Sequence, residues 1–119
     1  MKKALFLDRD GVINHDPGDY TYSLEEFHLL PTALEAMKFA YNLGYTLIVV
    51  TNQAGISRGL YPKKEWVERA CAKFKLNRNE SLMIGDRDRD VQCAEAAGVR
   101  GFQMEKNGRL IDLVKMLCV

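Results

Sequence analysis

Charge of one sign is what this sequence most plainly lacks. Its 17 lysines and arginines stand against 16 aspartates and glutamates, a net charge of +1 over 119 residues. Such a balance provides no global field to draw nucleic acid or an anionic membrane surface, so any anion must be held by a local site. Long apolar runs are missing as well. None approaches the roughly 20 residues that a bilayer span needs. The N-terminal run Ala4-Leu5-Phe6-Leu7 stops at Asp8, too short for the core of a signal peptide. Cysteine is scarce: Cys71, Cys93 and Cys118 are odd in number, far apart and without CxxC or Cys/His spacing. They read as reduced thiols in a cytoplasmic protein, Cys71 and Cys93 in the core, with no zinc site. Repeats, low-complexity tracts and linkers are also absent, which leaves one domain over residues 1–119.

What is present alternates short apolar runs with helical patterns, the signature of an α/β domain with a parallel sheet. Ala4–Leu7, Thr46–Val50 and Leu82–Ile84 are continuously apolar, as strands covered on both faces are, and Val99–Met104 is a weaker fourth. Between them, Thr32 and Glu35 predict a capping box for a helix whose stripe is Leu34, Met37 and Tyr41, with Gly44 at its stop. Pro62 predicts the start of a second helix, striped by Val67, Ala70, Cys71 and Phe74. A third is expected over about Asp88–Ala97 and a fourth over about Gly108–Leu117. The stretch from Gly11 to Pro31, rich in turn formers, breaks this rhythm directly after the first strand, where loops are often functional.

The acids carry the chemistry. Each of the three stronger runs ends on its C-terminal side in polar groups: Asp8 and Asp10, then Thr51 and Asn52, then Asp86. Open parallel sheets bind ligands at those strand ends, and right-handed crossovers bring them to one edge. Asp8 and Asp10, two apart, share a side in extended backbone. Crowded carboxylates repel unless a cation intervenes. Arg9 and Arg87 could neutralise part of the charge, but a hard divalent cation with oxygen ligands, magnesium, answers it better and leaves room for a phosphate. The chemistry this suits is attack on phosphorus, with Asp8 as nucleophile, Asp10 as general acid and base, and the Thr51 hydroxyl on a phosphate oxygen. Glu25, Glu26, Glu80, Glu95, Asp112, His15 and His28 read as ordinary surface groups.

Asp8-Arg9-Asp10-Gly11-Val12-Ile13-Asn14, Thr51-Asn52-Gln53-Ala54-Gly55-Ile56 and Gly85-Asp86-Arg87-Asp88-Arg89-Asp90 resemble the haloacid dehalogenase (HAD) superfamily. The likeness is nearest to its capless branch of histidinol-phosphate and heptose-bisphosphate phosphatases, and it covers nearly the whole chain. It implies a doubly wound three-layer sandwich with a mainly parallel sheet and no cap domain, and hydrolysis of a small phosphomonoester such as a sugar phosphate or histidinol phosphate. It implies magnesium on Asp8, the Asp10 backbone carbonyl and Asp86, with Asp90 and Arg87 in support. Thr51, Asn52 and Arg58 match positions at the phosphate or substrate.

Two departures qualify the likeness. Relatives carry a long insert after the Arg-Gly that follows TNQxGI, with a strand, a zinc loop and a phosphate-binding lysine. Here Arg58-Gly59-Leu60 runs almost directly into Tyr61-Pro62-Lys63-Lys64, which leaves four strands rather than five and puts Tyr61 where the lysine would fall. Lys63 or Lys64 would have to serve the phosphate instead. A catalytically impaired binding or scaffold protein on the same fold is therefore the alternative, and an uncovered sheet edge could support a homo-oligomer. A two-component receiver domain fits less well. It needs adjacent acids after the first strand and an acceptor Asp after a middle one, whereas Arg9 separates the acids and Thr51 ends the second run.

Overall fold

Alternate residues of the first strand leave in opposite directions, and that decides the layering. The computed structural model describes residues 2–15, 28–50 and 60–119, with side chains of the last stretch from residue 64 onward. Strand β1 (Lys3–Asp8) sends Leu5 and Leu7 to one face and Ala4 and Phe6 to the other, all fully buried. Three further strands, β2 (Tyr45–Val50), β3 (Leu82–Gly85) and β4 (Arg100–Gln103), complete a sheet in the order β2-β1-β3-β4, parallel throughout. Helices α1 (Ala33–Asn42) and α4 (Leu110–Leu117) cover the Leu5/Leu7 face, while α2 (Leu60–Lys73) and α3 (Asp88–Ala96) cover the other. This is the doubly wound α/β sheet that the sequence predicts, with a short 3-10 turn (Arg78–Glu80) leading into β3. Among the described residues no helix is long and apolar enough to cross a membrane.

Four local expectations are corrected. Of the expected α1 stripe only Met37 packs against the core: Leu34 is 56% and Tyr41 69% exposed, and Ala33, Ala36 and Ala40 form the buried face instead. Against α1 stand Leu110, Ile111 and Val114 of α4, large residues beside which only small ones let the helix approach the sheet. Thr32 makes no capping hydrogen bond. Its hydroxyl oxygen accepts from the Ile111 N–H at 3.3 Å, so a tertiary contact at the start of α4 replaces the local cap. Phe74 falls one residue beyond α2 and is 46% exposed, which leaves Val67 and Cys71 as the buried face. Pro62 is the third residue of α2 rather than its opening, still in the first turn, where its missing N–H costs nothing.

Strand β2 differs from the expectation of cover on both faces. It is the sheet's edge among the described residues, and Val49 is half exposed. Strand β1 is the sheet's turning point: the chain goes from it to β2 on one side, then returns to β3 on the other. A crevice at such a point, outside the carboxyl ends of the strands, is where open α/β sheets bind ligands.

Candidate active site

Register sets the site. Leu7 pairs with Ile84, so Asp8 ends β1 beside the end of β3, and Asp86 follows Gly85 directly. Asp8 is 7% exposed and accepts from the Arg9 N–H at 3.0 Å. Asp86 is half-buried. Asp90, in the first turn of α3, is 2% exposed and accepts from the Arg87 N–H at 3.2 Å, which holds it at the helix N-terminus. One carboxylate oxygen from each of Asp8, Asp86 and Asp90 lies within 4.8 Å of the other two.

Two glycines make this crowding sterically feasible. Gly11 has φ +85°, and a Cβ there would stand 2.6 Å from Asp86 Oδ2. A Cβ on Gly85 would fall on the Cβ and carboxylate of Asp90.

Asp10 is held apart from the three. Arg9 Nε and Nη2 donate to its two oxygens at 3.1 Å each, and Asn14 Nδ2 donates to Oδ1 at 2.9 Å. Partial burial pushes the Asp10 carboxyl up, but the Arg9 and Asn14 hydrogen bonds and the charges of Arg9 and Arg87 outweigh it and hold the group below its ordinary value. The loop after β1 is built for this. Gly11 N–H donates to Asn14 O at 2.8 Å, and Arg9 O accepts from the N–H groups of Val12, Ile13 and Asn14. Val12 and Ile13 anchor the turn in the core, and Asn14 is fully buried beneath Asp10 with its Oδ1 unpartnered among the described residues.

Of the remaining sequence candidates, Lys64 donates to Glu68 at 3.2 Å along α2, and Arg87 is exposed at the entry to α3. Thr51, Asn52, Arg58 and the Lys63 side chain lie outside the described residues. Asn14, a turn former by sequence, lies four residues beyond Asp10 and reaches back to it, a spacing that is the one signal of its role. Asp90, expected only in support, joins the acid cluster itself.

Three hard oxygen donors without sulfur or imidazole fit a small divalent cation, and the glycine-lined approach around Asp86 and Asp90 fits a compact site. A family model described as "HAD-hyrolase-like" matches residues 61–108. D-glycero-beta-D-manno-heptose-1,7-bisphosphate 7-phosphatase of Pasteurella multocida is 41% identical over 158 positions, covering 93% of this chain and 85% of its own. The D-glycero-D-manno-heptose-1,7-bisphosphate 7-phosphatase of Chlorobaculum tepidum is 32% identical over 151 positions, covering 82% and 76%. Both alignments are longer than this chain, so these relatives carry internal sequence that it lacks. In fold, the chain is similar to D,D-heptose 1,7-bisphosphate phosphatase from B. bronchiseptica, solved with magnesium and phosphate (TM-score 0.78, 20% identity, 96% of this chain and 86% of that one). It is also similar to a haloacid dehalogenase-like hydrolase from Streptococcus pneumoniae (TM-score 0.66, 14% identity, 98% and 91%). By sequence and by fold, this chain belongs to the HAD-like hydrolase family of phosphatases.

Proposed function

We propose that the chain hydrolyses a small phosphomonoester of the sugar-phosphate or histidinol-phosphate type, with magnesium, through a phosphorylated Asp8. The observation that carries this reading is the convergence of Asp8, Asp86 and Asp90 at the strand ends beside a separately held Asp10. The names of the relatives favour a sugar bisphosphate among the candidates.

Asp8, Asp86 and the Asp10 backbone carbonyl would hold the cation, with the Asp90 carboxylate close by. Bound there, magnesium supplies charge neutralisation and orientation of the phosphate. The Asp8 carboxylate attacks phosphorus, an oxygen–phosphorus bond forms, and the bond to the leaving alkoxide breaks. Asp10 gives that alkoxide its proton. Asp10 then takes a proton from water as the water oxygen attacks phosphorus. The Asp8–phosphorus bond breaks, and free phosphate and the Asp8 carboxylate return. Arg9 and Asn14 keep the Asp10 carboxyl oriented and favour its ionised form, which suits the second step. Thr51, Asn52, Arg58 and either Lys63 or Lys64 are the further phosphate and substrate contacts of this reading.

A panel of phosphorylated metabolites, heptose 1,7-bisphosphate among them, tests it. Hydrolysis is expected with magnesium, to be lost on chelation and restored by adding the ion back. Turnover that ignores a chelator, or an inert protein across the whole panel, would overturn the reading, and inertness would favour the scaffold alternative.

A further inference from the structure

The segment that follows β4 is tied to the acid-bearing loops at successive points. Met104 N–H donates to Gly85 O at 2.7 Å, and the Gln103 side-chain amide reaches Asp86 O at 3.4 Å. Asn107 N–H donates to Gly11 O at 2.8 Å from left-handed backbone, φ +60°, which a residue other than glycine adopts at a cost. Gly108 N–H then closes the turn on Glu105 O at 2.8 Å. Between these ties sits Lys106. Its stem and the Asp86 carboxylate converge on one spot, since a Cβ built on Gly11 would stand 3.3 Å from Lys106 Cγ and 2.6 Å from Asp86 Oδ2.

Charge explains why a lysine there matters. Three carboxylates and one divalent cation leave the cluster net negative, and a phosphate dianion approaching it meets repulsion unless further positive charge faces it. Lys106 arrives from another strand end on a loop whose backbone bonds fix its Cα beside Gly11 and Asp86. Its flexible stem lets the ammonium follow a bound phosphate.

We infer that Lys106 is a phosphate-binding residue of this site, its ammonium donating to a non-bridging oxygen of the phosphoryl group. The inference rests on the phosphatase reading above, and it assigns to the loop after β4 a role that sequence pattern alone gave to Lys63 or Lys64.

Calorimetric titration of inorganic phosphate in the presence of magnesium tests it on the wild type, Lys106→Met and Lys106→Arg. The methionine keeps the stem against Gly11 and removes the charge, so any general loosening of the loop is separated from loss of the cation. Phosphate affinity is expected to fall about tenfold to a hundredfold in Lys106→Met, the loss of one charge-assisted contact. Lys106→Arg should retain most of it, and both variants should melt near the wild-type temperature. Phosphate binding in Lys106→Met within twofold of the wild type overturns the inference, as does a wild type that binds no phosphate. The metabolite panel is scored separately: magnesium-dependent hydrolysis by the wild type keeps the phosphatase reading standing even if Lys106 proves dispensable.

Discussion

Replacing Asp8 with asparagine is expected to lower phosphomonoester hydrolysis by about a thousandfold or more, because it removes the attacking oxygen's charge and not merely an orienting contact. The side chain is nearly isosteric, and Asp8 sits buried at the end of β1 between strands on both sides, so the fold has little reason to change. Stability should stay the same or rise, since one of three crowded carboxylates loses its charge. Steady-state assay beside a thermal melt checks both halves. Activity that survives in a well-folded Asp8→Asn protein would remove Asp8 from the chemistry and leave the cluster as a cation site alone.

The next largest effect is expected from a residue with no functional group. A Cβ on Gly85 would overlap Asp90, nearer than real side-chain contacts come. Asp90 cannot simply swing away, because it is 2% exposed and bonded to the Arg87 N–H at the start of α3. Gly85→Ala must therefore push α3 from β3 or drive the Asp90 carboxylate out of the cluster. Overpacking of this kind costs about 1–3 kcal/mol. Displacing a group that supports a metal site weakens the ion by about tenfold to a hundredfold. Gly101→Ala is the control: its Cβ would meet the backbone of Val91 in α3 at 2.9 Å, a similar clash with no carboxylate involved. Magnesium titration should separate the two, with affinity lost in Gly85→Ala and kept in Gly101→Ala. Equal magnesium affinity in Gly85→Ala and the wild type would mean that Asp90 does not need its position for the ion.

What could be read from the sequence followed from periodicity and from strand ends. Continuous apolar runs marked β1, β2 and β3 to within a residue or two, because a strand in a parallel sheet must be apolar on both sides over its full length. The same rule overstated the cover of β2, since a run of apolar residues cannot say that its strand is an edge. In α1 two stripes were available, one of large residues and one of alanines. The choice between them belongs to α4 and the sheet, not to the helix. Asp8 and Asp86 stood out because acids at successive strand ends have a topological reason to meet, whereas Asp90, in the first turn of α3, was marked only by the family resemblance. Lys106 was missed although it follows the end of β4 by the same logic, since a lone lysine in a polar loop has no pattern to distinguish it. The tie from Asn107 to Gly11 that holds it in the site is a backbone contact between residues far apart in sequence, and no local signal encodes such a contact.

The claim beneath all of this is that an acid at the tip of β1 becomes covalently phosphorylated. Acid quenching during turnover of a labelled phosphomonoester with magnesium, followed by peptide mapping, tests it most directly. A hydroxylamine-labile phosphate is expected on the peptide that contains Asp8, and none in Asp8→Asn. Brisk turnover with no phosphate on the protein at any quench time, or the label on another residue, would contradict it.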